Sequence, residues 1–135
     1  MIVDAQGTPL VVHTTAANVR DDQPVPLLLA KLGHAIGRPI ASLHGDRAYG
    51  FEWTIRQVRQ SGIETVLAER DESLGTTRSG GLGAVRRVVE QTLAQLGHCR
   101  RLKLCYEKCG AHFQAFHDLA ATLLCFRRLS YYRGL

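Results

Sequence analysis

The sequence predicts an α/β fold on three observations. Its first fourteen residues hold two β-branched segments around the turn Ala5-Gln6-Gly7-Thr8. Its middle alternates short apolar runs with amphipathic stretches of helical length, punctuated by glycine and proline. Its end, from residue 111 to 128, is a long apolar helical pattern. A hairpin followed by strands that alternate with helices implies a mixed sheet with helix-covered faces.

Each element has its own signal. Ile2-Val3-Asp4 and Pro9 to Thr14 read as the hairpin strands. Asp21-Asp22 offers a helix N-cap and Pro24 fits the first turn. Leu27, Leu28, Leu32 and Ala35 or Ile36 then recur at helical spacing, until Gly37 and Pro39 close that helix. Residues 39–43 read as a strand, and 50–61 as a helix with Trp53, Ile55 and Val58 apolar and Gly62 as its cap. Ile63 to Ala68 is a further strand. Arg70 to Gly83 is polar and glycine-rich and reads as a loop or flap, with the next helix starting near Ala84. Leu102 to Tyr106 reads as a short extended piece before the closing helix, whose apolar positions are Phe113, Phe116, Leu119, Ala120, Leu123, Leu124 and Phe126.

Bulk properties narrow the class. A chain of 135 residues is expected to form one domain, 1–135, and to bury roughly two-thirds of its unfolded surface without help from a metal or disulfide. No apolar run is long enough to span a bilayer, and Met1-Ile2-Val3-Asp4 lacks the basic start of a signal peptide, so the expected location is the cytoplasm, with no membrane partner. The net charge is +5 and the pI about 9.3. Beyond residue 78 the acids are only Glu90, Glu107 and Asp118, against the clusters Arg86-Arg87, Arg100-Arg101-x-Lys103 and Arg127-Arg128. Arginine dominates, and its planar fork suits phosphate better than an ammonium does. The competing reading is solvated helix ends.

Four cysteines, Cys99, Cys105, Cys109 and Cys125, form no CxxC pair and are expected as reduced, packed thiols. Cys105, Cys109, His112 and His117 lie close enough for a small zinc-binding interaction domain to stand as an alternative. The usual finger has a longer loop between its Cys and His pairs.

Two carboxylates carry the chemistry. Asp46 follows the apolar run ending in Leu43-His44-Gly45, at the C-terminal end of a strand, where α/β sheets usually bind ligands. Glu90 lies in a helix whose buried stripe is Val85, Val88, Val89, Thr92 and Leu96. Arg86 and Glu90 share another face, four residues apart. Taken from the helix alone, they read as a surface ion pair worth well under 1 kcal/mol.

Several stretches together resemble one family. They are residues 3–10, Gly45-Asp46-Arg47-Ala48-Tyr49, Gly80-Gly81-Leu82-Gly83 leading to Arg86 and Val88-Val89-Glu90, Arg100-Arg101-Leu102, and Phe126-Arg127-Arg128-Leu129. In this order they resemble the C-terminal part of the DDE transposases of bacterial insertion sequences. The resemblance implies a ribonuclease H-like mixed sheet flanked by helices, with the first strand missing from this chain. Asp46 looks like the second acid of the catalytic triad and Glu90 like the third, both metal ligands. Arg86 looks like the arginine of the signature around the last acid, and Tyr49 belongs to the neighbourhood of the second acid and is expected to pack beneath it. Gly83 and Gly97 stand where the signature has tyrosine and lysine.

In a complete enzyme of this kind three carboxylates hold two Mg²⁺ (or Mn²⁺) ions about 3.5–4 Å apart, and DNA strands are cut and joined at the element's ends. Arg86, Arg87, Arg100, Arg101 and Lys103 are the expected contacts to the DNA backbone. The implied partners are terminal inverted repeats and target DNA, together with an upstream reading-frame product or a second copy. The first acid of the family lies upstream of the hairpin, and Asp4 does not match it. The expectation is therefore a truncated copy, or the second reading frame of a frameshifted element, inactive on its own. The alternative is an inactive DNA-binding remnant.

Overall fold

The computed structural model describes residues 1–37, 39–67 and 82–133. The predicted glycine-rich loop lies almost wholly outside them. Residues 1–18 and 88–135 form one compact unit and residues 19–87 another. Both are built from helices and small sheets, as an α/β reading requires. Where one mixed sheet was expected, the described strands pair as two two-stranded sheets.

In the first unit, β1 (Ile2–Val3) and β2 (Pro9–Val11) form an antiparallel hairpin. Asp4 builds the turn. Its Oδ1 accepts the amides of Gln6 at 2.9 Å and Thr8 at 2.7 Å, and its carbonyl accepts the Gly7 amide at 2.9 Å. Gly7 closes the turn at φ +79°, a left-handed conformation that favours glycine. β2 stops at Val11, short of the predicted Thr14, because a helix takes over the polar groups of the next residues. Gln114 Oε1 accepts the Thr14 amide at 2.7 Å, and Gln114 Nε2 donates to the Val12 carbonyl at 3.3 Å.

That helix is α5 (Gly110–Arg133), longer at its end than predicted. With α3 (Leu82–Gly97) it forms a core of Leu96, Ala120 and Ala121, joined by Met1, Val12, Cys99, Leu102 and Leu124. Leu102 sits on α4 (Arg100–Lys103), a single helical turn, where an extended piece was expected. Packing decided this: Leu102 reaches the core while its amide bonds the Cys99 carbonyl at 2.8 Å. Small residues mark the buried side of α5. Leu119, Leu123 and Phe126, apolar positions of the predicted helix, are exposed.

In the second unit, α1 (Val25–Ile36) buries Val25, Leu28 and Leu32, whereas the predicted Leu27 is exposed. Gly37, at φ +59°, ends the helix. β3 (Ser42–Gly45) pairs in parallel with β4 (Glu64–Leu67), Ser42 opposite Glu64 and Gly45 opposite Leu67. The crossover between them holds a 3-10 turn (Arg47–Tyr49) and α2 (Glu52–Gln60). α2 ends at Gly62, φ +73°, whose amide bonds the Arg59 carbonyl at 2.9 Å while Ile63 bonds back to Val58 at 3.4 Å. This six-to-one and five-to-two pattern brings Val58 and Ile63 together. They and Val25 are the core, with Leu29, Ile40, Leu43 and Tyr49 packed around them. Among the described residues, no helix is long and apolar enough to cross a membrane.

Candidate active site

Asp46 follows Gly45, the last residue of β3, at the carboxyl end of the parallel pair. The turn after it is of its own making. Asp46 Oδ1 accepts the Ala48 amide at 2.9 Å, and its carbonyl accepts the Tyr49 amide at 3.1 Å. An aspartate bonding the amide two residues on imitates a backbone turn, and here it starts the 3-10 segment. The side chain is exposed. Among the described residues no hydrogen bond reaches Oδ2.

Tyr49 ends that turn and is half-buried against the Val25, Val58 and Ile63 core. Burial raises its pKa above the usual 10.0, and the charges of Asp21, Asp46 and Asp22 raise it further. All four factors favour the neutral phenol. The folded-state value therefore exceeds the unfolded one, and the stability Tyr49 contributes is present below pH 10.0 and lost as pH climbs through the higher folded value. In a phenolate absorbance titration, Tyr49 should ionise above the usual 10.0. D46N should lower that late step by the Asp46 share of the shift, with the burial part retained. A late step that ignores D46N would separate Tyr49 from Asp46.

Asp21-Asp22 does not cap α1, as the sequence suggested. Pro24 takes the N-cap position without a side-chain bond. The Asp22 carboxylate is instead gripped by Arg20, at 3.1 Å and 2.8 Å, and accepts the Trp53 indole N–H at 3.0 Å. Sequence reasoning missed this group. Its only signals were an arginine two residues from an aspartate and a lone tryptophan.

Glu90 is exposed on α3, and its neighbours behave as the predicted stripe requires. Thr92 and Leu96 are buried, Val88 and Val89 half-buried. Glu90 falls in the first unit and Asp46 in the second, each described by itself. The side chains of Val85 and Arg86, like that of Arg47, lie outside the described residues. Arg87 is exposed. Of the α4 cluster, Arg101 is engaged: its Nη1 bonds Glu107 Oε1 at 2.7 Å and its guanidinium stands 5.2 Å from the Phe116 ring centre. Arg100 and Lys103 are exposed, with no ion pair among the described residues.

The zinc alternative gains no geometry. Among the described residues no three His, Cys, Asp or Glu side chains gather as a metal would need. His117 Nδ1 faces the Phe113 carbonyl at 3.1 Å, and the Cys105 thiol faces the Glu107 carbonyl at 3.8 Å.

A Burkholderia cepacia protein, the putative transposase for insertion sequence element IS402, is 39% identical to this chain over 136 aligned residues, 96% of the chain. The chain is similar to that putative transposase along almost its whole length. It spans 62% of the length of that relative transposase. With 96% of the chain inside the match, both the Asp46 turn and α3 fall within the region shared with the transposase. No protein-family model and no solved structure matches the chain.

Proposed function

We propose that the chain is the catalytic part of an insertion-sequence transposase with a ribonuclease H-like core, working on DNA phosphodiesters. The observation that carries this is the 39% identity across almost the whole chain. The local geometry supports it: an exposed carboxylate, held by its own turn, stands at the carboxyl end of a parallel strand. In this reading Asp46 and Glu90 are the second and third acids of a DDE triad.

The donor set fits a hard divalent cation. Asp46 is an exposed carboxylate with one oxygen tethered to the Ala48 amide, and Mg²⁺ or Mn²⁺ prefers carboxylate oxygen. Divalent ions held by such acids supply charge neutralisation and an activated oxygen nucleophile at a phosphodiester. The chain's own residues orient the rest. The Ala48 amide fixes the Asp46 carboxylate and Tyr49 anchors the turn in the core, while Arg86, Arg87, Arg100, Arg101 and Lys103 are the proposed contacts to the DNA backbone.

The decisive experiment grafts this chain in place of the matching region of the Burkholderia cepacia relative and scores movement of a marked insertion sequence. Mobilisation is expected. A hybrid that folds and binds DNA, yet never moves the element, overturns the reading.

DNA binding by the chain itself should follow counterion release. Each phosphate contact contributes about 0.9 to the slope of log affinity against log salt. R100A and K103A should each flatten that slope by roughly one and weaken all DNA sequences alike. R101A should act differently, because its guanidinium already serves Glu107 and Phe116. Fluorescence-anisotropy titrations at several salt concentrations read this. Slopes unchanged in both R100A and K103A would remove these residues from the DNA interface.

A further inference from the structure

Asp22 takes no part in the proposed chemistry, yet only 1% of its surface is exposed. A carboxylate taken out of water is costly unless partners satisfy it. Asp22 has three bonds. Arg20 Nε donates to Oδ1 at 3.1 Å, Arg20 Nη2 to Oδ2 at 2.8 Å, and the Trp53 indole to Oδ2 at 3.0 Å. The same guanidinium lies 4.3 Å from the centre of the Phe51 ring. Segment 20–22 therefore holds Phe51 and Trp53, the N-cap and first turn of α2.

This hold falls just downstream of Asp46. On the upstream side, the β3–β4 ladder fixes the chain as far as Gly45. On the downstream side, Phe51 is the first residue under the Arg20 guanidinium. Tyr49, between them, packs on the core. A short connection fixed at both ends has few conformations left to it. A buried ion pair is a poor source of net stability compared with apolar packing, but it can specify one arrangement.

We propose that Asp22 is a positioning residue for Asp46: with Arg20 and Trp53 it clamps the downstream end of the Asp46 turn and so sets where that carboxylate faces. Its functional consequence rests on the reading of Asp46 as a metal ligand; the geometry does not. A site whose ligands are held by a supporting shell loses function when that shell loosens.

The test uses the full chain with D22N and W53F. D22N keeps the side-chain shape and removes the charge that Arg20 grips. W53F removes one donor from a side chain that is 39% exposed. Amide hydrogen exchange at Ala48, whose N–H bonds Asp46 Oδ1, should speed up about tenfold in both variants. Amides of the β3–β4 ladder and of α2 beyond its first turn should exchange as before. Mn²⁺ affinity, read from paramagnetic broadening of the Ala48 signal, should fall by a similar factor. An unchanged Ala48 rate in both variants overturns the clamp, as does a rise shared evenly across residues 19–67. If D22N fails to fold, W53F decides alone. A wild-type chain with no Mn²⁺ response overturns the metal reading of Asp46, while the Ala48 exchange rates still judge the clamp.

Discussion

Replacing Gly7 with alanine is expected to cost about 2–4 kcal/mol of stability, a fall in Tm on the order of 10 °C. Two effects add. The backbone at Gly7 has φ +79°, which an L side chain rarely adopts. A Cβ there would also meet Thr92 Oγ1 at 2.7 Å and Val88 Cγ1 at 3.2 Å, both on α3. Thr92 cannot withdraw cheaply. It is fully buried, and its hydroxyl bonds the Gly7 carbonyl at 2.7 Å and the Val88 carbonyl at 3.0 Å. The hairpin would have to lift from the helix, loosening the contacts of Arg128, whose Nη1 donates to the Gln6 carbonyl at 2.6 Å.

Gly62 is the matching control. Its φ is +73°, but a Cβ there meets nothing within 4 Å. G62A should therefore cost only the backbone strain, about 1 kcal/mol. Urea unfolding of the two variants isolates the steric part of the Gly7 effect. Adding T92A should relieve the close approach, so G7A and T92A together should cost less than their sum. Equal costs for G7A and G62A would mean that the hairpin and α3 can part without penalty.

What the sequence disclosed follows the range of the forces involved. Gly7, Gly37 and Gly62 were legible as turns and caps, because a positive φ is a local demand that glycine meets. The α3 stripe was legible because Thr92 and Leu96 repeat at helical spacing on one face. The direction of α5 was not. Apolar residues surround that helix, so periodicity alone could not show that Ala120 and Ala121 face the core while Leu119 and Phe126 face out. Asp22 was misread for a related reason. Its position before Pro24 fits a cap, but the partner that claims it is Trp53, 31 residues on. Leu102 failed likewise, since contact with the core drew it into a helical turn that local propensity did not demand. At the site itself, Asp46 was legible from an apolar run ending in Gly-Asp. Its own turn, which holds one carboxylate oxygen, needed coordinates.

Substituting Asp46 with asparagine in the grafted transposase is expected to abolish element movement, a loss of at least about a thousandfold if the acid contributes the several kcal/mol typical of a metal-centred site. Asparagine is the informative choice. Its side-chain oxygen can still accept the Ala48 amide, so the turn survives and stability should change by under about 1 kcal/mol at this exposed position. What disappears is the charge. D46A removes the turn bond as well, so a difference between D46N and D46A reports the orienting hydrogen bond, while their shared loss reports the ligand. E90Q should match D46N in depth, because the proposed triad assigns Glu90 the role of third acid and an uncharged amide does not replace a carboxylate ligand. E52Q is the control: Glu52 is an exposed acid paired with Arg56 at 2.6 Å, and movement should be untouched. Mobilisation frequencies across these variants, with expression and DNA binding matched, separate the outcomes. Movement retained in D46N would remove Asp46 as a ligand at a reacting phosphodiester, and movement lost equally in E52Q would show that the exposed acids of this chain act through net charge.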